Sequence, residues 1–224
     1  MQNYELKYEV QSKKYEVKMP LYKTIQANSR TSIFIWKIEE SFDDLFLNIY
    51  LNDRSNSRIS KMKSEMHRCG FLSVRYLLKE AGYSDDDLFY TDDGKPHLKN
   101  GKRISITHSY IFAAIIISDT QVGIDMEKNR DKIQRIAHKF VDTESGFLDE
   151  NNLIQHLTMI WGAKESLFKI HPDGGLLFKQ HLPIEPFQIT DKITKGWIKK
   201  DIFYENFDIH FEQIEDFTLV YAMN

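Results

Sequence analysis

Val122-Gly123-Ile124-Asp125-Met126-Glu127 alternates apolar and polar side chains with the period of two that marks a β-strand. Val122, Ile124 and Met126 fall on one face, and Gly123, Asp125 and Glu127 on the other. Two carboxylates therefore project side by side. Taken alone, the hexapeptide also fits a half-buried strand with a solvated outer face, and a functional reading needs a third oxygen ligand.

Working outward, strand-like runs at 103–107 and 113–118 precede this stretch, after the turn-rich Asp92-Asp93-Gly94-Lys95-Pro96. Downstream, a helical pattern covers 131–140, and a longer one covers 153–170 with Leu153, Leu157, Ile160, Trp161, Lys164 and Phe168 as its inward stripe. Gly174-Gly175 ends that region, and 207–211 and 218–222 read as closing strands. Upstream, 32–38 reads as a strand and Ser41 caps a helix from 41 to 50. One long helix is expected over 57–81, with Ile59, Met62, Met66, Cys69 and Tyr76 on one side and Gly82 as its stop. Residues 1–18 alternate charged and apolar side chains, which permits an edge hairpin.

Each half thus reads strand, short helix, long helix, and the spacing from Glu39 to Arg75 nearly equals that from Glu127 to Glu165. Such a duplication would put a ligand at the seam between the copies. The division expected is an N-terminal extension at 1–18, an N-terminal half at 19–102 and a C-terminal half at 103–224.

With 42% hydrophobic and 13% aromatic residues over 224 positions, the chain can bury a substantial core. Its one cysteine, Cys69, excludes an internal disulfide and a cysteine zinc site, so a reducing, cytoplasmic setting is expected. No apolar run reaches a membrane span, and the N-terminus lacks an apolar signal core. A net charge of −3 disfavours broad attachment to nucleic acid, so neither nucleic acid nor membrane is an expected partner.

A third carboxylate is at hand in Trp161-Gly162-Ala163-Lys164-Glu165-Ser166-Leu167-Phe168-Lys169, where Glu165 and Lys169 lie one helical turn apart. They form either a surface ion pair or an acid and a base aimed together. Three carboxylates without cysteine or clustered histidine suit a hard cation such as Mg²⁺.

Four segments in order now resemble the 4′-phosphopantetheinyl transferase superfamily, in its longer, pseudo-dimeric (surfactin-synthetase-activating) branch. They are Gly94-Lys95-Pro96, Ile104-Ser105-Ile106-Thr107-His108-Ser109, Gly123-Ile124-Asp125-Met126-Glu127 and the helix segment just quoted. Phe140 to Glu144 also resembles that family's Phe-x-x-x-Glu element. The motif-bearing match runs over 94–176, with weaker similarity over 19–82; residues 1–18 have no counterpart in it, leaving Met19 as an alternative start.

The resemblance implies an α+β fold of two similar halves, each a small, mainly antiparallel sheet packed by a long helix. It implies transfer of the 4′-phosphopantetheine group from coenzyme A (CoA) to a serine of an apo carrier protein, with release of 3′,5′-ADP. Asp125, Glu127 and Glu165 become the Mg²⁺ ligands, and Glu165 and Lys169 the catalytic pair, with Glu165 as base directly or through a water. Lys95, Thr107, His108, Lys164 and Lys169 become CoA contacts; Thr107 stands where the family usually has serine. Arg58, Lys61, Arg68 and Arg75 form one basic stripe on the 57–81 helix, either a solvated face or, by the resemblance, the reader of the CoA 3′-phosphate.

The run Lys128, Arg130, Lys132, Arg135 and Lys139 leaves the carboxylate strand directly, so an acidic helix of the carrier is expected to dock near 128–140. Ile133, Ile136 and Phe140 between those charges belong either to the core or to that surface. A monomer is expected. Two rival readings keep the same residues: a Mg²⁺-dependent CoA or nucleotide pyrophosphatase, and a non-catalytic homologue that binds a carrier protein or CoA.

Overall fold

The computed structural model describes residues 21–172 and 174–224, so the hairpin expected within 1–18 lies outside the described residues. In chain order the first part gives β1 (Leu21–Asn28), β2 (Thr31–Lys37), the short helices α1 (Phe42–Leu47) and α2 (Asp53–Ser60), and the long α3 (Glu65–Glu80). A small hairpin of β3 (Leu88–Tyr90) and β4 (Pro96–Leu98) leads into β5 (Arg103–Ser109) and β6 (Phe112–Ser118). The second part gives β7 (Val122–Lys128), α4 (Lys132–Ile136), the long α5 (Leu153–Ile170), α6 (Phe178–His181), β8 (Ile193–Lys200), β9 (Phe203–Ile214) and β10 (Phe217–Met223).

The strands form two antiparallel sheets, β1-β2-β6-β5 and β7-β10-β9-β8. Their inner faces pack together through Ile33, Ile35 and Ile116 of the first sheet and Ile124, Met126 and Leu219 of the second. The outer face of the first sheet is covered by α3 through Leu72, Leu77 and Leu78, and that of the second by α5 through Leu157, Ile160 and Leu167. The order of layers is helix, sheet, sheet, helix. Burial on both faces explains why the β6 run Phe-Ala-Ala-Ile-Ile-Ile-Ser has no alternation and is buried throughout.

The fold is α+β with antiparallel sheets, as the resemblance implies. One expectation is corrected. The helix over 57–81 is two helices: α2 stops at Ser60, and the Ser64 side chain accepts from the His67 amide to start α3. A side-chain cap there outweighs the continuous apolar spacing. β5 and β6 pair within the first sheet, β6 antiparallel to β2 from Thr31↔Ser118 to Lys37↔Phe112. The sheets divide between β6 and β7. Ser41 caps α1 with a full capping box to Asp44, and α5 runs over the residues its periodicity marks.

Candidate active site

The carboxylate strand β7 lies beside β5, and side-chain hydroxyls join the two. Ser105, Thr107 and Ser109 recur at period two on β5. The Ile124 amide donates to Ser105 Oγ at 3.2 Å and the Met126 amide to Thr107 Oγ1 at 3.2 Å. Thr107 Oγ1 in turn donates to Asp125 Oδ1, and Ser109 Oγ to Glu127 Oε2, each at 3.3 Å. Both carboxylates are thus oriented by the neighbouring sheet. Ser105 and Ser109 carry no role in the sequence reading; their period-two spacing with Thr107 was the available signal.

On the other side α5 lies hard against the sheet. A Cβ on Gly123 would sit 1.9 Å from the Ser166 carbonyl oxygen, and one on Gly162 would sit 2.7 Å from Val220 Cγ2 and 3.8 Å from Asp125 Oδ2. Only glycine allows this approach, which carries Glu165 and Lys169 to β7. The Lys169 ammonium donates to Asp125 Oδ1 at 2.8 Å and to the Ile124 carbonyl at 2.7 Å. Asp125 is 6% exposed, and its second oxygen, Oδ2, is buried without a hydrogen-bond partner. Burial, reinforced by Asp125, pushes the Glu165 carboxyl up to about 7, with Glu127 adding to the rise and Lys169 opposing it. Burial and then Asp125 likewise raise Glu127. The three acids therefore feel one another, and structure joins what sequence separates.

Whether these groups suit a divalent cation can be tested on the side chains present. Among the described residues, no group of three or more His, Cys, Asp or Glu is arranged to hold a metal ion. The donor chemistry nevertheless fits: three carboxylates, two of them pushed toward protonation by burial and then by the neighbouring Asp125, and one buried carboxylate oxygen left without a partner. Lys169 occupies the other oxygen of Asp125.

Beside the row opens a cavity of about 880 Å³, lined by Arg58, Phe71, Lys95, His108 and Lys169 among others. Its size suits an extended small molecule. Arg58 lies over the Tyr90 ring at 4.9 Å, and the Lys95 ammonium donates to the Ile170 carbonyl at 3.3 Å and to the His171 carbonyl, tying the end of α5 to the cavity wall. Burial, with the neighbouring His67, Lys169 and Arg58, lowers the His108 pKa. On the far side Glu127 lines a smaller cleft of about 170 Å³ with Arg130, Lys132, Ile133, Ile136 and Trp161. Phe140 is fully buried, which places it in the core.

Five expected CoA contacts are either away from the cavity or committed to other partners. Lys164 is fully buried, 2.7 Å from Glu144 Oε1, and also donates to the Phe140 and Phe178 carbonyls. It holds the interior together. Arg75 is 4% exposed and committed to Asp85, Ser55 and the Phe71 carbonyl, although it borders the cavity. The helix break removes the single basic stripe: Lys61 and Arg68 do not line the cavity, and the Arg68 guanidinium lies 3.4 Å from the Phe42 ring centroid. Thr107 is 6% exposed, with its hydroxyl engaged between the strands.

Residues 121–222 match the model of the 4′-phosphopantetheinyl transferase superfamily, and this segment is a domain of that superfamily. It spans the carboxylate strand, α5 and the whole second sheet. No curated protein matches the chain.

Proposed function

We propose that this protein is a holo-carrier-protein synthase: it moves the 4′-phosphopantetheine group of CoA onto a carrier-protein serine and releases 3′,5′-ADP. The observation that carries this reading is Lys169, which lines the large cavity and bonds Asp125, so that cavity and carboxylate row form one site. CoA fits the cavity, with Arg58, Lys95 and His108 on its walls as phosphate-binding groups. Asp125, Glu127 and Glu165 would hold Mg²⁺, which when bound neutralises charge on the phosphates and the departing 3′,5′-ADP.

The serine hydroxyl, entering from the cleft beside Glu127, bonds to the phosphorus nearest pantetheine as the bond from that phosphorus to the ADP oxygen breaks. Its proton passes to Glu165, directly or through a water. The electron pair leaves with 3′,5′-ADP. Lys132 on the cleft wall, with the exposed Arg135 and Lys139 that follow it in sequence, favours an acidic helix of the carrier. We read the two sheet-and-helix units as the two halves of the pseudo-dimeric type, because each long helix covers one sheet and the sheets meet inner face to inner face.

The test is mass spectrometry of an apo carrier protein incubated with CoA, Mg²⁺ and this protein. A mass gain of one phosphopantetheine arm is expected on the serine. Phosphopantetheine released without carrier would instead mark a pyrophosphatase, and bound CoA without either product a non-catalytic homologue.

A further inference from the structure

Asp125 meets its surroundings unevenly. Oδ1 carries the Lys169 ammonium at 2.8 Å and the Thr107 hydroxyl at 3.3 Å, while Oδ2 is buried with no hydrogen-bond partner. Lys169 is also tied to the Ile124 carbonyl at 2.7 Å, so two of its three donors are spent within the strand that bears the carboxylate. The facing acids, Glu127 from the same strand and Glu165 from α5, are not its ion-pair partners. Lys169 thus supplies the positive charge bonded to Asp125 where the three acids act on one another, while Arg130 also acts on Glu127.

An ammonium and a divalent cation cannot both sit on that carboxylate without strong like-charge repulsion at short range. The Lys169 side chain is 28% exposed and its residue lines the cavity, so it has a solvated side to which it can withdraw. We infer that Lys169 is a built-in competitor for the divalent cation, holding Asp125 until the ammonium withdraws to the cavity, where an anionic phosphate would retain it. Lys169 then sets how tightly the metal binds before any phosphate arrives, a role separate from contact with CoA. This inference rests on the proposed reading of Asp125, Glu127 and Glu165 as the metal site.

The test is calorimetric titration of the full chain with MgCl₂ or MnCl₂, with neither CoA nor carrier protein present, so that activity plays no part. Lys169→Met should bind the cation about tenfold more tightly than wild type, within the usual range for coupled sites. Lys169→Arg, which keeps the charge, should stay near the wild-type affinity. Circular dichroism confirms that each variant is folded, and Lys169→Gln replaces Lys169→Met should the latter not fold. Equal or weaker cation binding by the folded neutral variants overturns the competitor role while leaving the metal reading standing. No cation binding by wild type or any variant overturns the metal reading, and this inference with it.

Discussion

The Thr107 hydroxyl accepts from the Met126 amide and donates to Asp125, so it serves the backbone of one sheet and a carboxylate of the site together. Thr107→Val should therefore cost about 1–3 kcal/mol, because it leaves a buried amide unpaired, whereas Thr107→Ser keeps the hydroxyl and should stay close to wild type. Urea unfolding of the three proteins checks this. The arginines divide in the same way by their partners. Arg75, paired with Asp85 at 3.0 Å and almost wholly buried, should destabilise the fold by about 3–5 kcal/mol when replaced by alanine. Arg58 lines the cavity from an exposed helix face. Its replacement by alanine should leave the unfolding curve unchanged and raise KM for CoA about tenfold more than KM for dephospho-CoA, the loss of one charge-assisted contact. Equal effects on both substrates would place the 3′-phosphate away from Arg58.

At the scale of elements, the contact between α5 and the second sheet decides the geometry of the site. Gly123→Ala drives a Cβ into the Ser166 carbonyl, where neither backbone can yield, so the helix must lift off β7. Gly162→Ala meets the tip of Val220, which can rotate or shift, and should cost about 1–3 kcal/mol as overpacking does. We expect Gly123→Ala to be the more damaging of the two, in stability and in transfer rate, since it displaces Glu165 and Lys169 from Asp125. Thermal unfolding and single-turnover transfer measured side by side would show the ranking. The reverse order would mean that the Val220 contact, not the Gly123 contact, seats the helix. Lys164 and Glu144 reinforce the same helix from its other side, since Glu144 also accepts from the Asp142 and Ile184 amides.

For the whole molecule, the buried His156 and the half-buried His210 link stability to pH. His156 accepts the Asp149 amide on Nδ1 and packs against Phe187, and His210 stacks on Tyr221; burial lowers both below their ordinary value of 6.5. A base whose folded pKa is depressed leaves stability intact above 6.5 and removes it as pH falls through the folded value. Glu165, raised to about 7, works the other way and gains stability as pH falls, so the histidine share is read as a difference: the urea midpoint of wild type should fall relative to that of His156→Phe between about pH 7.5 and about pH 5. Docking is likewise a property of the whole surface. Arg135→Glu or Lys139→Glu should raise KM for the carrier protein, weaken its salt dependence and leave KM for CoA alone, because long-range attraction is screened over about 10 Å at 0.1 M salt. Identical carrier KM values at low and high salt for wild type and both variants would move the dock elsewhere.

The sequence by itself determined the elements whose cause is local. The period-two run at 122–127, the periodicity of α5 and the Ser41 capping box are all set by neighbours a few residues apart. Strand and helix periodicities put Asp125 with Glu127, and Glu165 with Lys169, on shared faces, while the resemblance alone joined the four into one expected site. Only the tertiary structure decided where β5 and β6 belong, since either sheet could have accepted them by pattern. It alone separated Arg58 from Arg75 and removed Lys164 from the cavity, because a cation reads the same in sequence whether it faces solvent or a buried acid. The hydroxyl seam and the seat of Lys169 on Asp125 are contacts between segments 18 and 44 residues apart. No local pattern encodes such contacts; they exist because two sheets and a helix are packed at one distance and no other.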